Sequence, residues 1–340
     1  MSGKIIIKRM LSSLLSSSGI HWLLEQRGLH HKAFILMYHR IMESPAGCPY
    51  YVLPGMFVST ASFESQIAFL KDRFEVVFVE DLVTRIMGGE EVGGLCAITF
   101  DDGWWDNFTD AFPLLVKYQV PATMFLATGF IGTDKMFWPE ELCHYLGQAN
   151  FEQRQHLDSA PQAYIRFMEQ IGGYRKYKPE THFDRAIEIM KQYSPGNREE
   201  ILQFFRSNFK SGAAPRQMLN WDEAQKMLTS GLVRFGAHTV NHELLDQIPL
   251  EKAKDEISQS RDVIESRLGA SVRTFAYPNG NYNENVRKSV EDNGFNVAVT
   301  TKKGFFDRGT NLLEIPRIAM HEDVSNTIPM FRSRILFSQF

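Results

Sequence analysis

The chain has 340 residues, enough for one large α/β domain or two ordinary ones, and its hydrophobic content of 44% excludes a disordered chain. Its 37 basic and 40 acidic residues leave a net charge of −3, which gives no electrostatic reason to expect a nucleic-acid partner. Three widely spaced cysteines, Cys48, Cys96 and Cys143, form neither a disulfide framework nor a zinc ribbon, so reduced thiols and a cytoplasmic setting are expected.

At the N-terminus Lys4, Lys8 and Arg9 precede Met10-Leu11-Ser12-Ser13-Leu14-Leu15, a poor imitation of a signal peptide. Serines break the apolar stretch, His21 interrupts its continuation, and no Ala-x-Ala-like site follows. Residues 1–32 therefore read as an N-terminal helical segment. An ordinary packing helix is preferred; the alternative is a basic helix lying against a membrane, with Leu11, Leu14, Leu15, Trp22, Leu23 and Leu24 on its apolar side. No run approaches the length of a membrane span.

Short apolar or β-branched runs then alternate with helix-length amphipathic stretches, the pattern of βα units around a parallel sheet or barrel. Strands are predicted at 33–38, 74–79, 95–100, 122–127, 233–237, 272–277, 296–300 and 314–319. Helices are predicted at 62–71 with Ser62 as N-cap, 222–230, 250–268 and 284–293, with Gly231, Gly269 and Gly294 as stops. The count is that of a barrel, with a doubly wound sheet as the alternative. From 135 to 216 the strand rhythm is lost and helical pieces are separated by Gly172-Gly173, Pro179 and Ser194-Pro195-Gly196. This stretch reads as a helical insertion after the fourth strand, either a lid over an active site or a decoration, dividing the barrel into 33–134 and 217–340.

Polar groups collect at the predicted strand ends. His39 follows the first strand, Asp101 and Asp102 the third, His238 the fifth, and Tyr277-Pro278-Asn279-Gly280 closes the sixth. In a parallel barrel the C-terminal strand ends share one rim, so these distant residues converge. Two adjacent carboxylates at the open end of a buried strand cost free energy unless a cation or a shared proton relieves them. Asp102, His238 and His242 make a three-ligand metal set that leaves room for water and substrate. Such a site polarises a carbonyl and acidifies water, the two tasks needed to hydrolyse an unactivated amide or ester. Asp101 is then the general base, and His39 the acid that protonates a departing amine. Each signal is weak by itself, since Asp-Asp-Gly is commonly a turn and His-x-x-x-His commonly structural. Their joint placement at strand ends carries the argument.

These residues resemble the NodB-homology polysaccharide deacetylases, carbohydrate esterase family four. Thr99-Phe100-Asp101-Asp102-Gly103 matches that family's first motif and His238-Thr239-Val240-Asn241-His242 its second, and the resemblance spans roughly 33 to 320 apart from the insertion. It implies a deformed (β/α) barrel, an Asp-His-His metal site, and removal of acetyl groups from N-acetylated sugars. In that pattern Asp101 is the base, Asp102 a ligand, and the backbone N–H of Asn279 binds the oxyanion. Imidazole and carboxylate ligands suit several divalent metals, Zn2+ first, with Co2+ and Ni2+ as alternatives.

Two departures from the family pattern matter. Ala276, in Phe275-Ala276-Tyr277-Pro278, stands where the third motif usually has arginine, similar to a subfamily with this signature. Arg317 is then expected to hold Asp101 in a bidentate pair, with a structural salt bridge as the alternative. The family's Leu-x-His motif normally lies near the C-terminus, whereas here Leu36-Met37-Tyr38-His39 opens the barrel, similar to the permuted arrangement of deacetylases in exopolysaccharide pathways. His321 is the competing acid. Trp104, Trp105, Tyr277, Pro278 and Tyr282 are expected to bind substrate, the aromatic rings by stacking on sugar faces, with packing at the barrel mouth as the alternative.

The expected activity is metal-dependent hydrolysis of the N-acetyl group of an N-acetylhexosamine in a polysaccharide, oligosaccharide or glycan precursor. An O-acetyl esterase or small-amide deacetylase, and a glycan-binding protein whose catalysis has lapsed, are the rivals. The expected partner is the N-acetylated glycan, and the expected setting is the cytoplasm, with a peripheral place at the inner face of the membrane as the alternative.

Overall fold

The computed structural model describes residues 3–28, 32–45, 52–53, 55–91, 93–148, 160–172, 179–209 and 216–338, so Cys48 lies outside the described residues. The chain forms two compact units, one of Met1–Glu43, Pro54–Thr133 and Gln217–Phe340, the other of Ser44–Leu53 and Asp134–Arg216.

Among its described residues the first unit holds ten strands: β1 Phe34–Tyr38, β2 Arg40–Met42, β3 Phe57–Ser59, β4 Glu75–Val76, β5 Leu95–Phe100, β6 Ala122–Leu126, β7 Val233–Ala237, β8 Thr274–Ala276, β9 Val297–Val299 and β10 Ile318–Ala319. Eight form one parallel sheet in the order β10-β1-β5-β6-β7-β8-β9, with β4 beside the start of β5; β2 and β3 pair separately. Every residue of β1, β5 and β6 is buried, which is why these strands read as unbroken apolar runs rather than alternating ones.

The sheet curls on itself. Beyond β9, Ala298 N–H donates to Leu312 O (2.8 Å), Ile315 N–H to Ala298 O (2.9 Å) and Thr300 N–H to Ile315 O (2.9 Å). The same segment continues into β10, which pairs with β1 at Leu36↔Ile318. Closure therefore runs through a seam only partly bonded as a strand, which makes the barrel a deformed one. The expected strand at 314–319 shrinks to Ile318–Ala319 because Pro316 has no N–H and Arg317 N–H goes to Lys302 O (2.9 Å).

Other boundaries move for equally local reasons. The expected strand at 74–79 is cut to Glu75–Val76 because Val79 opens a helix, Val79–Met87, whose Val79, Leu82, Val83 and Ile86 stripe enters the same core as Ile35, Ala97, Phe125, Ala276 and Val299. Helix Thr60–Arg73 starts earlier than expected because Ser59, not Ser62, caps it, accepting from Ser62 N–H at 3.1 Å. Helix Trp221–Thr229 opens on a capping box between Asn220 and Glu223. Leu250–Leu268 has the expected span and ends on left-handed Gly269, and Glu284–Asp292 is capped by Asn283.

Among its described residues the second unit contains four helices, Trp138–Gln148, Gln162–Gln170, Pro179–Met190 and Pro195–Asn208. They enclose a core of their own, including Leu142, Leu146, Tyr164, Phe167, Ile187, Ile201 and Phe205. Arg206 pairs with both oxygens of Glu141 (2.6 and 2.8 Å).

Candidate active site

The turn after β5 is built for two carboxylates. Asp102 and Gly103 both have left-handed backbones, φ +77 and +86, and Gly103 N–H closes onto Asp101 O at 3.0 Å. Only glycine fits at 103, since a Cβ there would stand 2.7 Å from Ile131 Cδ1 and 2.8 Å from Leu126 Cδ2. Asp101 and Asp102 are both buried.

Asp102 faces two imidazoles. His238, just past β7, and His242, with φ +56, each place Nε2 at 3.5 Å from Asp102 Oδ1, and the two rings lie edge to face, 4.8 Å apart. The other carboxylate oxygen, Oδ2, accepts from the Trp104 indole N–H at 2.8 Å. His238 Nδ1 lies 2.7 Å from Ala276 O; a carbonyl only accepts, so Nδ1 carries a proton and Nε2 is the nitrogen that faces Asp102, while burial, which works to lower the imidazole, is outweighed by Asp102 and Asp101, which raise it. Burial pushes the His242 imidazole down to about 4, so it is neutral at neutral pH. Burial opposes ionisation of Asp102, but in acid, where it titrates, the protonated His238, His242 and His39 beside it hold it well below the usual carboxylate range.

These residues fit a divalent cation. Asp102 Oδ1 is buried and has no hydrogen-bond partner, a state that costs about 1–3 kcal/mol or more for a charged group. One donor atom from each of Asp102, His238 and His242 lies within 4.8 Å of the others, and among the described residues no second such set of three occurs. A cation between the two imidazoles and the carboxylate accounts for the unsatisfied oxygen.

Asp101 is treated differently. Arg317 Nη1 donates to its Oδ1 and Nη2 to its Oδ2, both at 2.7 Å. The fork is itself fixed, with Nε donating to Thr300 O and Nη1 also to Thr99 Oγ1, each at 3.0 Å, and Arg317 is fully buried. Burial works to raise the Asp101 carboxyl, but the charge and hydrogen bonds of Arg317 bring it below its ordinary value. The charge of His39, which is half-buried after β1, acts on Asp101, Asp102 and His242. His321 instead bonds Asp323 through Nδ1 and feels Arg334 and Lys8. Asn279 is exposed with φ +55, its carbonyl accepting from Thr301 Oγ1 at 3.1 Å.

The expected sugar platforms divide. Trp104 is buried, bonded to Asp102 and covered by the Arg40 guanidinium 4.3 Å from its ring centre, so it offers no face to a sugar. Tyr277 is likewise buried, its hydroxyl donating to Leu313 O at 3.1 Å, and Pro278 is buried beside it. The three corrections share one cause: these side chains are buried by their neighbours and leave no open face. Trp105 is 39% exposed, and Tyr282 stacks on Tyr277 at 4.7 Å while remaining partly accessible.

Three supporting residues, Arg40, Asp106 and Glu256, carried no motif that marked them in the sequence. Arg40 pairs with buried Asp106 (2.8 Å), whose other oxygen accepts Ile41 N–H at 3.0 Å, and this pair backs the Trp104 ring. Glu256 accepts the N–H groups of Val240 and Asn241 (2.9 and 2.7 Å) and the Asn241 amide (2.7 Å), fixing the loop between the two histidines. A glutamate amid the buried stripe Ala253, Ile257 and Ile264 was the available signal, because carboxylates rarely enter an apolar helix face unpaired.

A family model described as Polysaccharide deacetylase matches residues 89–172 and 173–298. The poly-beta-1,6-N-acetyl-D-glucosamine N-deacetylase of Staphylococcus epidermidis is 22% identical over 306 residues, covering 88% of this chain and 82% of that protein. Among solved structures, the Streptococcus pyogenes deacetylase PplD in complex with acetate is 21% identical with a TM-score of 0.55, covering 87% of this chain and 95% of that one. IcaB from Ammonifex degensii has a TM-score of 0.57 at 17% identity, covering 90% and 97%. At these identities the structural likenesses speak to the fold, a curled parallel sheet with helices around it.

Proposed function

The chain belongs to the polysaccharide deacetylase family, and on that footing we propose that it is a metal-dependent hydrolase removing N-acetyl groups from N-acetylhexosamine residues of a polysaccharide, oligosaccharide or glycan precursor. The observation that carries this reading is the buried Asp102 Oδ1, without a hydrogen-bond partner between two imidazole Nε2 atoms, beside a second carboxylate that an arginine already neutralises.

Asp102, His238 and His242 would hold the cation, Zn2+ first, with Co2+ and Ni2+ as alternatives. When bound, it supplies a Lewis acid for the acetamide carbonyl and lowers the pKa of water. Asp101 takes the proton of the attacking water. Arg317 keeps it ionised and fixes its plane, while each carboxylate oxygen retains a further lone pair to accept with. The Asn279 backbone N–H donates to the oxygen that gains charge as the carbonyl becomes tetrahedral. His39 gives a proton to the departing nitrogen, and acetate and a free amino sugar leave. The charge of His39 reaches Asp101 and Asp102, whereas His321 is engaged with Asp323, which favours His39 as the acid. Trp105 and Tyr282 remain as rim aromatics for the sugar ring.

Acetate release from N-acetylglucosamine oligomers, measured after chelation and after adding back zinc or cobalt, tests the reading, with Asp102→Ala in parallel and O-acetylated sugars as competitors. Release that needs metal and disappears in the variant is expected; release confined to O-acetyl groups would replace deacetylation with esterase action.

The same proposal puts the chain in the cytoplasm, with its N-terminal helices at the inner face of the membrane where glycan precursors are assembled. Cys96 and Cys143 are buried free thiols, which supports a reducing compartment. Fractionation of cells carrying the full chain, with recovery from an outer or secreted fraction as the contrary result, checks the placement.

A further inference from the structure

A surface helix of a folded protein turns its apolar stripe inward and its polar side chains to water. The first two helices reverse this. In Gly3–Ser17, Ile6, Ile7, Met10, Leu11 and Leu14 are 49–63% exposed, and their spacing sets them side by side on one face. The residues directed at the body include serines, Ser12 buried and Ser16 accepting from Arg332 Nη1 at 3.2 Å, beside half-buried Ile5. In Ile20–Gly28, Ile20, Trp22 and Leu23 are exposed, while His21 is fully buried with Nε2 2.9 Å from Ser333 Oγ. Glu25 takes Nε and Nη2 of Arg332 at 2.6 and 2.8 Å. Both helices are thus tied through polar groups to helix Ile328–Leu336 and present their apolar sides outward.

Such a contiguous apolar face marks a binding surface. Its charge selects the occupant. Residues 1–24 carry Lys4, Lys8 and Arg9 and no acidic residue, in a chain whose net charge is −3. On a 3.6-residue wheel Lys8 and Arg9 border the apolar stripe on its two sides, and both are exposed. A two-fold pairing with a second copy would bring two cation-rimmed faces together, and the one acidic residue of the two helices, Glu25, is already engaged with Arg332. No described helix is long and apolar enough to cross a membrane. We propose that the two N-terminal helices form a docking surface for an anionic lipid bilayer, Ile7, Met10, Leu11, Leu14 and Trp22 entering the acyl boundary while Lys8 and Arg9 meet the headgroup phosphates. This deepens the membrane placement proposed above and does not depend on the deacetylase chemistry.

Cosedimentation of the full chain with vesicles of phosphatidylcholine, with and without phosphatidylglycerol, tests it. Binding about tenfold or more tighter with phosphatidylglycerol is expected, weakening in high salt. Leu11→Ser with Leu14→Ser is expected to abolish binding to both vesicle types. Lys8→Glu with Arg9→Glu is expected to remove the preference for the anionic lipid alone. An unchanged circular-dichroism spectrum and melting temperature report that each variant is folded. Absence of vesicle binding by the wild-type chain overturns the proposal, and a dimer in solution that the leucine variant dissociates would assign the face to a second copy instead. Vesicle binding without acetate release would leave this inference standing while sinking the deacetylase reading.

Discussion

Asp101 and Asp102 are neighbours in sequence and equally buried, yet the fold treats the two sides of the pair in opposite ways. On the Asp101 side one guanidinium occupies both oxygens, and the guanidinium is itself held by Thr99 and Thr300. On the Asp102 side one oxygen accepts from Trp104, and the other, without a hydrogen-bond partner, faces two imidazole Nε2 atoms 3.5 Å away. A charge neutralised by the protein's own cation is ready to take a proton at a fixed place. A charge left for an outside cation is a ligand. Adjacent carboxylates can therefore hold different functions because their partners arrive from different strands.

The contrast is most easily broken at Asp102. Asp102→Ala is expected to bring bound metal to background in elemental analysis and to lower acetate release by about a thousandfold or more, since several kcal/mol of charge stabilisation is lost. On the other side, Arg317→Met leaves the Asp101 carboxylate buried without its cation, at a cost of about 3–5 kcal/mol in urea unfolding at neutral pH. In the wild type the folded Asp101 pKa lies below its unfolded value, so the pair's stabilisation is present above about pH 4 and lost as pH falls through the folded value. Without Arg317, burial raises that pKa, and the penalty is small in acid and grows as pH rises. A stability gap between wild type and variant that does not widen from pH 4 to pH 7 would contradict this account. The acid limb of the kcat/KM profile should move upward in the same variant.

Smaller effects sharpen the picture. His39→Gln is expected to lower kcat by about a hundredfold with metal content unchanged, whereas His321→Gln changes kcat less than about twofold. Equal losses in the two would return the choice of acid to the open. Trp104→Phe keeps the ring beneath Arg40 but removes the N–H from Asp102 Oδ2, so metal affinity in a competition titration should weaken about tenfold. Trp105→Ala should raise KM for oligomers a few-fold, about the worth of one aromatic contact, and leave kcat in place.

Much of the fold and of the site is legible in the order of residues along the chain. An unbroken apolar run such as Leu95–Phe100 announces a strand buried on both faces, because hydrophobicity and β-branching are properties of consecutive residues. The Thr99–Gly103 and His238–His242 motifs are visible for the same reason, and a parallel barrel brings their strand ends to one rim whatever the loops do. The aromatic rim is legible only in part, since Trp104 and Trp105 are indistinguishable by composition and only one of them turns inward.

Sequence alone therefore determined the strand-and-helix alternation, the paired carboxylates and the two histidines, all of which depend on residues near one another along the chain. Tertiary structure decided what each of them touches. The parallel register Leu36↔Ile318 and Leu36↔Ile98 brings the segment before β10 alongside β1 and β5, and so sets Arg317 against Asp101 across 216 residues of chain. The packing of helix Ile328–Leu336 against the N-terminal pair turns serines inward and leucines outward, against the ordinary sense of amphipathicity. Neither outcome is contained in local periodicity, because a side chain's partner is fixed by strand order, register and helix packing, which only the folded chain assembles.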